Sequence, residues 1–443
     1  MKKIFIPLIL LAVGIFCQSL TQSSTDKLSG KEQKEVIDSV TTILEANYIF
    51  PDVASKMNDL LQNNYKKGSY KKIDDPIQFA QVLTEDLQSV SKDLHLRVRF
   101  DPNGISQMRN AAVSTEDSIA FAKSRLMARR AGNYGFREVR ILDGNIGYLN
   151  LTGFSNVDEE AGAAAQAAMN FLSNADALII DLRQNGGGSP SMIQLITSYL
   201  YDEHPVHLNN FYSRPDDSHS QTWTLPYVPG KRRPDMDVYV LTSGNTFSAA
   251  EEFSYNLRNL ERATLIGETT GGGAHPGGTQ IATERFTVWV PTGRAINPIT
   301  NTNWEGVGVK PHMEVSASEA LQVAKVTALE TLIARSGTEN NFHLQWALDG
   351  YKAEEGPITI DAATLKSYAG SYGPRKLRFE NGKLYYQREG NPEHELIPMS
   401  SNMFMIEAVP YFRIRMMEEN SKIVGLRGLY SNGRTDENMR SEN

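Results

Sequence analysis

The sequence contains a single cysteine, Cys17, and this shortage excludes several kinds of chemistry. A disulfide framework needs pairs of cysteines, and a thiol nucleophile or a cysteine-ligated metal needs a cysteine in the folded chain. Cys17 lies inside an apolar N-terminal segment. If that segment is removed, the mature protein has no thiol, which suits an oxidising compartment. This removes cysteine catalysis and a cysteine-ligated metal from consideration, and no motif in the sequence leads us to expect another metal or a cofactor.

Long hydrophobic runs are scarce, and the most apolar one covers residues 4–16. Two lysines precede it, an order that is typical of a secretory signal peptide. The run is too short to span a bilayer comfortably, and Ser19 offers a small residue for cleavage. We expect residues 1–19 to be a signal peptide and the protein to be exported, to the periplasm or outside the cell. The alternatives are a buried or anchoring helix, or a lipoprotein attached through Cys17, although the bulky Phe16 precedes that cysteine.

The chain also lacks an excess of positive charge. It has 45 Lys and Arg residues against 52 Asp and Glu residues, and its formal net charge is -7. Without a basic stripe, nucleic-acid binding is not expected. The GxGxxG and Walker spacings are absent as well, which argues against nucleotide binding. A length of 443 residues favours two or three folded units over one.

The spacing of apolar residues changes along the chain and predicts a mixed α/β (α+β) multidomain protein. Helical spacing dominates first, strand and helix patterns then alternate as in βαβ units with a mainly parallel sheet, and short strands follow. Asn381-Gly382 is a strong hairpin signal within the last part. The predicted units are an N-terminal helical domain at 20–92, a core at 93–335, a linker at 336–358, an antiparallel β module at 359–435 and a disordered tail at 436–443.

Two segments place reactive groups where predicted strands end. TSGNTFSAAEEF, residues 242–253, runs from a strand into a helix, so the Ser248 hydroxyl lies beside unpaired helix N–H groups. Ser248 and Glu251 also fit a capping box, which requires no chemistry. DLRQNGGG, residues 181–188, follows another strand, and its glycines allow backbone N–H groups to face an anionic reaction centre. A plain flexible turn is the alternative for this second segment.

Together with three further motifs, these segments resemble the C-terminal-processing (tail-specific) protease superfamily. That superfamily also includes the tricorn protease core and the interphotoreceptor retinoid-binding protein modules. The resemblance implies a ClpP/crotonase-like β-α-β catalytic core and a serine peptidase that acts through an acyl-enzyme. The motifs that carry it, in order, are GNIGYLNLTGF at 144–154, ALIIDLRQNGGG at 177–188, VYVLTSGNTFSAAEEF at 238–253, LIGETTGGGAHPGG at 265–278 and NWEGVGVKPHMEV at 303–315.

Carried over position by position, the resemblance makes Ser248 the nucleophile and assigns the oxyanion hole to the backbone N–H groups of Gly187 and Ala249. The tail-specific branch activates its serine with a lysine three positions after GETT, but that position here is Gly273. The tricorn-like branch uses a histidine on the strand that follows the N-terminal helices. His95 in KDLHLRVRF matches this place, so we expect it to be the general base.

The resemblance also suggests partners for this base. Glu305 in NWEGVGV matches a glutamate that orients the histidine, so a Ser-His-Glu triad is expected. Leu94 stands where the tricorn pattern has a serine, which argues against a full tetrad. His275 is a rival base or a substrate-binding group, and Glu251 and Gly186 are further accessory candidates.

The expected protein is a secreted or periplasmic serine-type peptidase that acts on peptides or proteins. The interval between Phe100 and Ile141 is too short for the PDZ domain that tail-specific proteases insert there. The C-terminal module resembles small β domains of secreted bacterial hydrolases, and we expect it to serve packing or gating. Two alternatives stay open, namely a non-catalytic binding protein on the same fold and an esterase or amidase. No stable membrane insertion is expected after signal cleavage, and the sequence does not indicate an oligomeric state.

Overall fold

The computed structural model describes residues 27–336, 341–354, 356 and 358–441. Its helices are α1 (Gly30–Asn47), α2 (Pro51–Lys66), α3 (Pro76–Ser91), α4 (Pro102–Val113), α5 (Thr115–Ala131), α6 (Glu159–Phe171), α7 (Pro190–Ser198), α8 (Ala249–Asn259), α9 (Ala320–Ser336), α10 (Phe342–Glu354) and α11 (Ala362–Tyr368). Its strands are β1 (Arg97–Phe100), β2 (Phe136–Leu142), β3 (Ile146–Leu151), β4 (Ala177–Asp181), β5 (His207–Ser213), β6 (Ser218–Trp223), β7 (Asp237–Thr242), β8 (Thr264–Gly267), β9 (Gly277–Ile281), β10 (Phe286–Pro291), β11 (Gly293–Ile296), β12 (Met313–Glu314), β13 (Gly370–Tyr372), β14 (Arg375–Glu380), β15 (Lys383–Arg388), β16 (Glu393–Glu395), β17 (Ile397–Pro398), β18 (Met403–Met405), β19 (Phe412–Glu419), β20 (Lys422–Tyr430) and β21 (Thr435–Met439).

A six-stranded sheet in the order β12-β8-β7-β4-β3-β2 forms the centre of the molecule. All neighbouring pairs are parallel except β2 with β3, which pair antiparallel at one edge. Residues of α6, α7 and α8 pack on one face of this sheet, and residues of α9 and α10 pack on the other. A strand that is buried on both faces reads as a continuous apolar run, which explains the sequence Ala-Leu-Ile-Ile in β4. The expected mixed α/β class is confirmed.

The three N-terminal helices share a core with a separate three-stranded sheet, β1-β10-β9. Apolar residues at helical spacing, such as Val36, Val40 and Leu44 of α1, are fully buried there. The Ser29 side chain caps α1, and Asp75 caps α3 by accepting from two backbone N–H groups. This arrangement holds β1 against the central domain, and β1 begins directly after the turn that carries His95.

A helical hairpin, α4 and α5, occupies the interval between β1 and β2. Helix α5 buries none of its residues, and Ile119 and Met127 on it are exposed. Ser114 caps its start by accepting from the Asp117 N–H. The segment that was judged too short for a PDZ domain therefore forms two helices.

The C-terminal β module corrects two expectations. The predicted linker at 336–358 contains α10, whose Leu344, Leu348 and Tyr351 pack in the core beneath the central sheet. The predicted disordered tail at 436–443 is also wrong in part, because β21 pairs antiparallel with β20. The expected hairpin at Asn381-Gly382 is confirmed, since β14 and β15 pair across it and both turn residues have positive φ.

The predicted signal peptide at 1–19, with Cys17, lies outside the described residues. None of the helices in the described part of the chain is both long and apolar enough to cross a lipid bilayer.

Candidate active site

A cleft of about 890 Å³ opens where strands β4 and β7 end. In parallel sheets such positions collect the loops that bind ligands. Its volume is at the upper end of the range that is usual for ligand pockets. The lining residues include Ser248, Phe247, His95, Gly186 and Gly188. The cleft therefore brings together the nucleophile and base expected from the sequence and the glycine loop after β4.

Ser248 is the residue at which strand β7, after a short turn, passes into α8. It is the N-cap of α8, and its backbone N–H donates to Glu251 Oε2 at 2.8 Å. A cap residue normally has extended dihedral angles, but Ser248 has φ +55° and ψ -120°. For a non-glycine residue this conformation costs about 1–3 kcal/mol and is typical of functional sites. Capping alone does not account for such strain, whereas a sharp turn that exposes a nucleophile does.

The Gly186–Gly188 loop lies directly against this turn, but it corrects one expected role. A Cβ on Gly187 would lie 2.7 Å from the Ser248 Cβ, and Gly187 has φ +105°, so only glycine fits there. Its N–H, however, donates to Asn185 Oδ1 at 2.9 Å. Asn185 is fully buried and is itself fixed through Nδ2 to the Leu151 carbonyl. Gly187 therefore does not offer a free oxyanion donor in this structure.

The neighbouring N–H group is better placed. The Gly187 carbonyl accepts from the Phe154 N–H at 2.8 Å, so in a planar trans peptide the Gly188 N–H points away from Phe154. Gly188 lines the cleft together with Ser248. Within the described residues, neither the Gly188 N–H nor the Ala249 N–H donates to any acceptor. One unpaired backbone donor, the Ala249 N–H, thus directly follows Ser248, and a second, the Gly188 N–H, lies on the loop that lines the same cleft.

Glu251 holds two loops of the site together. Its buried carboxylate accepts from the N–H groups of Ser248, Gly272 and Gly273 and from the Thr270 hydroxyl. Burial raises the pKa of Glu251, and these hydrogen bonds oppose that rise. The side chain has no room left for a substrate, so Glu251 fixes the nucleophile turn against the glycine-rich loop.

His95 reaches the cleft from the turn before β1. The sequence pattern predicted a strand from residue 95, but β1 begins at Arg97. The reason is Asp93, whose Oδ1 accepts the His95 N–H at 3.0 Å and thereby makes a local turn. The His95 ring lies beside Phe247, with centroids 4.5 Å apart. Burial lowers the pKa of His95 to about 4, and the Asp93 carboxylate opposes this shift, so the imidazole is neutral at pH 7.

The ring of His95 also explains the missing lysine. A Cβ on Gly273 would lie 2.3 Å from Phe247 Cζ and 2.7 Å from His95 Cε1. No side chain at residue 273 fits while both rings are in place, because carbon atoms pack at about 3.5–4.0 Å. The Phe247 ring and the imidazole together therefore occupy the space in which the side chain of a lysine at residue 273 would begin.

Glu305, His275 and Asp93 form a buried cluster behind His95. His275 Nδ1 lies 2.8 Å from Asp93 Oδ2 and 3.3 Å from Glu305 Oε2. The Ala274 N–H donates to the same Glu305 oxygen at 2.6 Å. His275 is 4% exposed and does not line the cleft, so it is the less accessible of the two histidines.

Two atoms of this cluster are unsatisfied. His95 Nδ1 and Glu305 Oε1 are buried without a hydrogen-bond partner in the described part of the chain. One ligand atom from each of Asp93, His95 and Glu305 lies within 4.8 Å of the others, so the group could close hydrogen bonds or hold a metal ion. Burial, together with the Asp93 charge, raises the pKa of Glu305 to about 7.

Sequence reasoning missed Asp93, which contacts both histidines. It is fully buried, and its Oδ1 lies 3.9 Å from His95 Nδ1. The Tyr48 hydroxyl lies 3.5 Å from its other oxygen. An aspartate two residues before the candidate histidine was the available signal, since Asp at that spacing commonly bonds the backbone N–H.

Two family models match the chain over much of its length. The model of peptidase family S41 matches residues 145–315. A second model, described as the N-terminal domain of peptidase S41 in eukaryotic IRBP, matches residues 29–126. This chain belongs to peptidase family S41. The S41 assignment confirms the tail-specific protease superfamily and makes the protein a serine-type peptidase, for which peptides or proteins are the substrates.

Solved structures that resemble this S41 peptidase do so only distantly. They include a lipoprotein from Streptococcus agalactiae, at 15% identity and TM-score 0.45, covering 68% of this chain and 97% of the other. The photosystem II D1 C-terminal processing protease has 15% identity and TM-score 0.38, with 66% and 94% covered. The tricorn protease has 13% identity and TM-score 0.41, with 66% and 35% covered. Residue roles in the S41 peptidase are therefore argued from its own contacts.

Proposed function

We propose that this S41 peptidase is an exported enzyme in which Ser248 and His95 carry out acyl-enzyme hydrolysis of peptide bonds. The supporting observation is their placement. His95 packs on Phe247, the residue before Ser248, and both side chains line one cleft. A neutral imidazole in that position can take the proton from Ser248 Oγ as the hydroxyl attacks the scissile carbonyl.

The charge that develops in this reaction has partners on both sides. The oxyanion of the tetrahedral intermediate would accept from the Gly188 and Ala249 N–H groups, each worth about 10²–10³ in rate. The imidazolium that forms on His95 would gain the Asp93 and Glu305 carboxylates as neighbours. Proton transfer from Ser248 would thus create a cation beside buried carboxylates, of which Asp93 Oδ1 lies 3.9 Å from His95 Nδ1. His95 afterwards returns the proton to the leaving amine, and water hydrolyses the acyl-enzyme.

Export is part of the proposal and is supported by the sequence of residues 1–19 and by the absence of thiols after them. Mass spectrometry of the N-terminus of the protein isolated outside the cytoplasm tests it. A mature protein that starts near residue 20 is expected, and one that retains Met1 would contradict export by cleavage.

Substitution of the nucleophile tests the catalytic proposal. Ser248→Ala should abolish peptide hydrolysis and labelling by a serine-directed phosphonate while the thermal unfolding curve stays close to that of the wild type. Ser114→Ala is the matched control, because it removes another helix-capping serine, on α5, outside the cleft. It should cost about 1 kcal/mol of stability at most and leave activity unchanged.

The choice between the two histidines needs its own variants. His95→Ala should lower kcat/KM by about 10²–10⁴-fold, since it removes the general base. His275→Ala should lower kcat/KM less, because His275 lies against the carboxylates behind His95 and does not line the cleft. Peptides and simple esters are assayed side by side, so that an esterase is distinguished from a peptidase. Peptide hydrolysis that persists in Ser248→Ala would refute the mechanism.

A further inference from the structure

One wall of the cleft is a face of the three-stranded sheet β1-β10-β9. In the register of this sheet, Arg97 lies opposite Trp289, and Trp289 lies opposite Thr279. In the next row of the same face, Arg99 lies opposite Thr287. All five residues line the cleft that contains Ser248. The other face of the sheet, with Val98 and Val288, is buried against the N-terminal helices. Strand alternation therefore fixes both arginines on the cleft side.

The charge of this wall is opposite to that of the whole chain. Arg97 and Arg99 line the cleft, and no Asp or Glu is among the described residues that line it. The chain as a whole has a net charge of -7. Both arginines are exposed, and neither forms a salt bridge with a described carboxylate. Arg97 Nε donates to the Leu94 carbonyl at 3.1 Å. Two guanidinium groups thus face an open cleft with their charges unpaired there.

The wall is also close to the reacting groups. Arg97 follows His95 by two residues, and its positive charge is one of the causes that lower the pKa of His95. A group bound to Arg97 would therefore lie near the scissile bond. Trp289 lies between Arg97 and Thr279 in the sheet. Its half-buried indole offers a flat apolar surface for the methylene groups of a substrate side chain.

We propose that Arg97 and Arg99 form a subsite that binds a carboxylate of the peptide substrate, so that the enzyme prefers peptides that carry a carboxylate near the scissile bond. This inference rests on the proposed function of the cleft. A guanidinium pairs with a carboxylate through two parallel hydrogen bonds, and such charge-assisted bonds are about twice as strong as neutral ones. The carboxylate is that of a Glu or Asp side chain or that of the substrate C-terminus.

The test uses matched fluorogenic peptides that differ only in charge. A neutral peptide that the wild type cleaves is the parent. Glu and Gln replace one residue at a time on either side of the scissile bond, and each peptide is made with a free and an amidated C-terminus. At the position that meets the arginines, Glu should raise kcat/KM over Gln by roughly tenfold or more. If Glu peptides are preferred over Gln peptides, the bound group is a side-chain carboxylate. If the preference is lost when the C-terminus is amidated, the bound group is the C-terminal carboxylate.

Arg97→Gln and Arg99→Gln keep most of each side chain but remove its charge. Each variant should reduce the preference for the carboxylate, and the double variant should abolish it, while kcat/KM on neutral peptides at pH 8 should change far less than kcat/KM on the Glu peptides. Arg125→Gln, an exposed arginine of α5, is the control for net charge and should change nothing. Added salt should weaken the wild-type preference because exposed charges are screened.

These outcomes separate the subsite from the catalytic proposal. Equal cleavage of Glu and Gln peptides with either C-terminus, or a preference that survives in the double variant, would overturn the subsite. Loss of phosphonate labelling and of neutral-peptide cleavage in the double variant would also overturn it, because the arginines would then act on the catalytic groups. If the wild type cleaves no peptide and Ser248 is not labelled, the proposed function fails instead.

Discussion

The space above Gly273 gives the sharpest prediction, because the structure leaves no room there for even one methyl group. The Cβ of an alanine at residue 273 would lie 2.3 and 2.5 Å from two Phe247 ring carbons and 2.7 Å from His95 Cε1. The dihedral angle φ of Gly273 is not positive, so the backbone itself tolerates alanine. Gly273→Ala therefore perturbs the two rings and not the chain path.

The magnitude follows from the contact distances. Carbon atoms pack at about 3.5–4.0 Å, so the rings must retreat by roughly 1 Å. A misplacement of about 1 Å in a catalytic group can cost about 10²-fold in rate. We expect Gly273→Ala to lower kcat/KM by about 100-fold, which is about 2.7 kcal/mol of transition-state stabilisation. The overpacking should cost about 1–3 kcal/mol of stability, which thermal unfolding would measure separately.

The matched control is Gly278, in strand β9, which directly follows the glycine-rich loop. A Cβ on Gly278 would meet nothing within 4 Å, and Gly278 does not line the cleft. Gly278→Ala should keep wild-type activity. The assay compares kcat/KM on a fluorogenic peptide with the rate of phosphonate labelling of Ser248. Wild-type values of both in Gly273→Ala would refute the claim that His95 fills this space.

Further predictions concern ionisation. Because burial raises the pKa of Glu305 to about 7 and lowers that of His95 to about 4, kcat/KM should rise as Glu305 ionises through pH 7. In Glu305→Gln this rise of kcat/KM around pH 7 should disappear, and the residual activity should extend down to about pH 4. A rise that remains in the variant near pH 6.5, the ordinary pKa of histidine, would contradict this. Burial raises the pKa of Glu252 to about 7 from its ordinary 4.5, so the contribution of Glu252 to stability is full below pH 4.5 and falls by about 3 kcal/mol as pH rises from there to about 7. Urea unfolding should therefore find Glu252→Gln equal to the wild type at pH 4 and more stable at pH 8, and the same difference at both pH values would exclude this cause.

The elements that the sequence predicted best are those set by local periodicity. The parallel strands and their helices follow from apolar runs and 3.6-residue spacing that each segment carries by itself. Helix α10 had such a signal, since Leu344, Ala347, Leu348 and Tyr351 recur at helical spacing, and the linker prediction overlooked it. Strand β21 had none, because four of its five residues are polar and it forms by pairing at the edge of β20.

Within the site, the motifs predicted which residues meet but not how their hydrogen bonds are distributed. Gly187 was expected to donate to an oxyanion, but the buried Asn185 side chain takes its N–H. Asp93 reaches His275 across 182 residues of sequence, a contact that no local pattern encodes. Both facts depend on side-chain rotamers in the folded chain, which spacing along the sequence does not specify.

The missing lysine and the retained histidine are one structural feature. A lysine at residue 273 would meet the same ring atoms as an alanine, because its Cβ occupies the same place. A Ser-Lys dyad therefore cannot be created by that substitution alone while His95 and Phe247 keep their positions. Conversely, an imidazole at His95 requires a residue without a side chain at 273. The glycine at 273 thus depends sterically on the positions of both rings, Phe247 and His95.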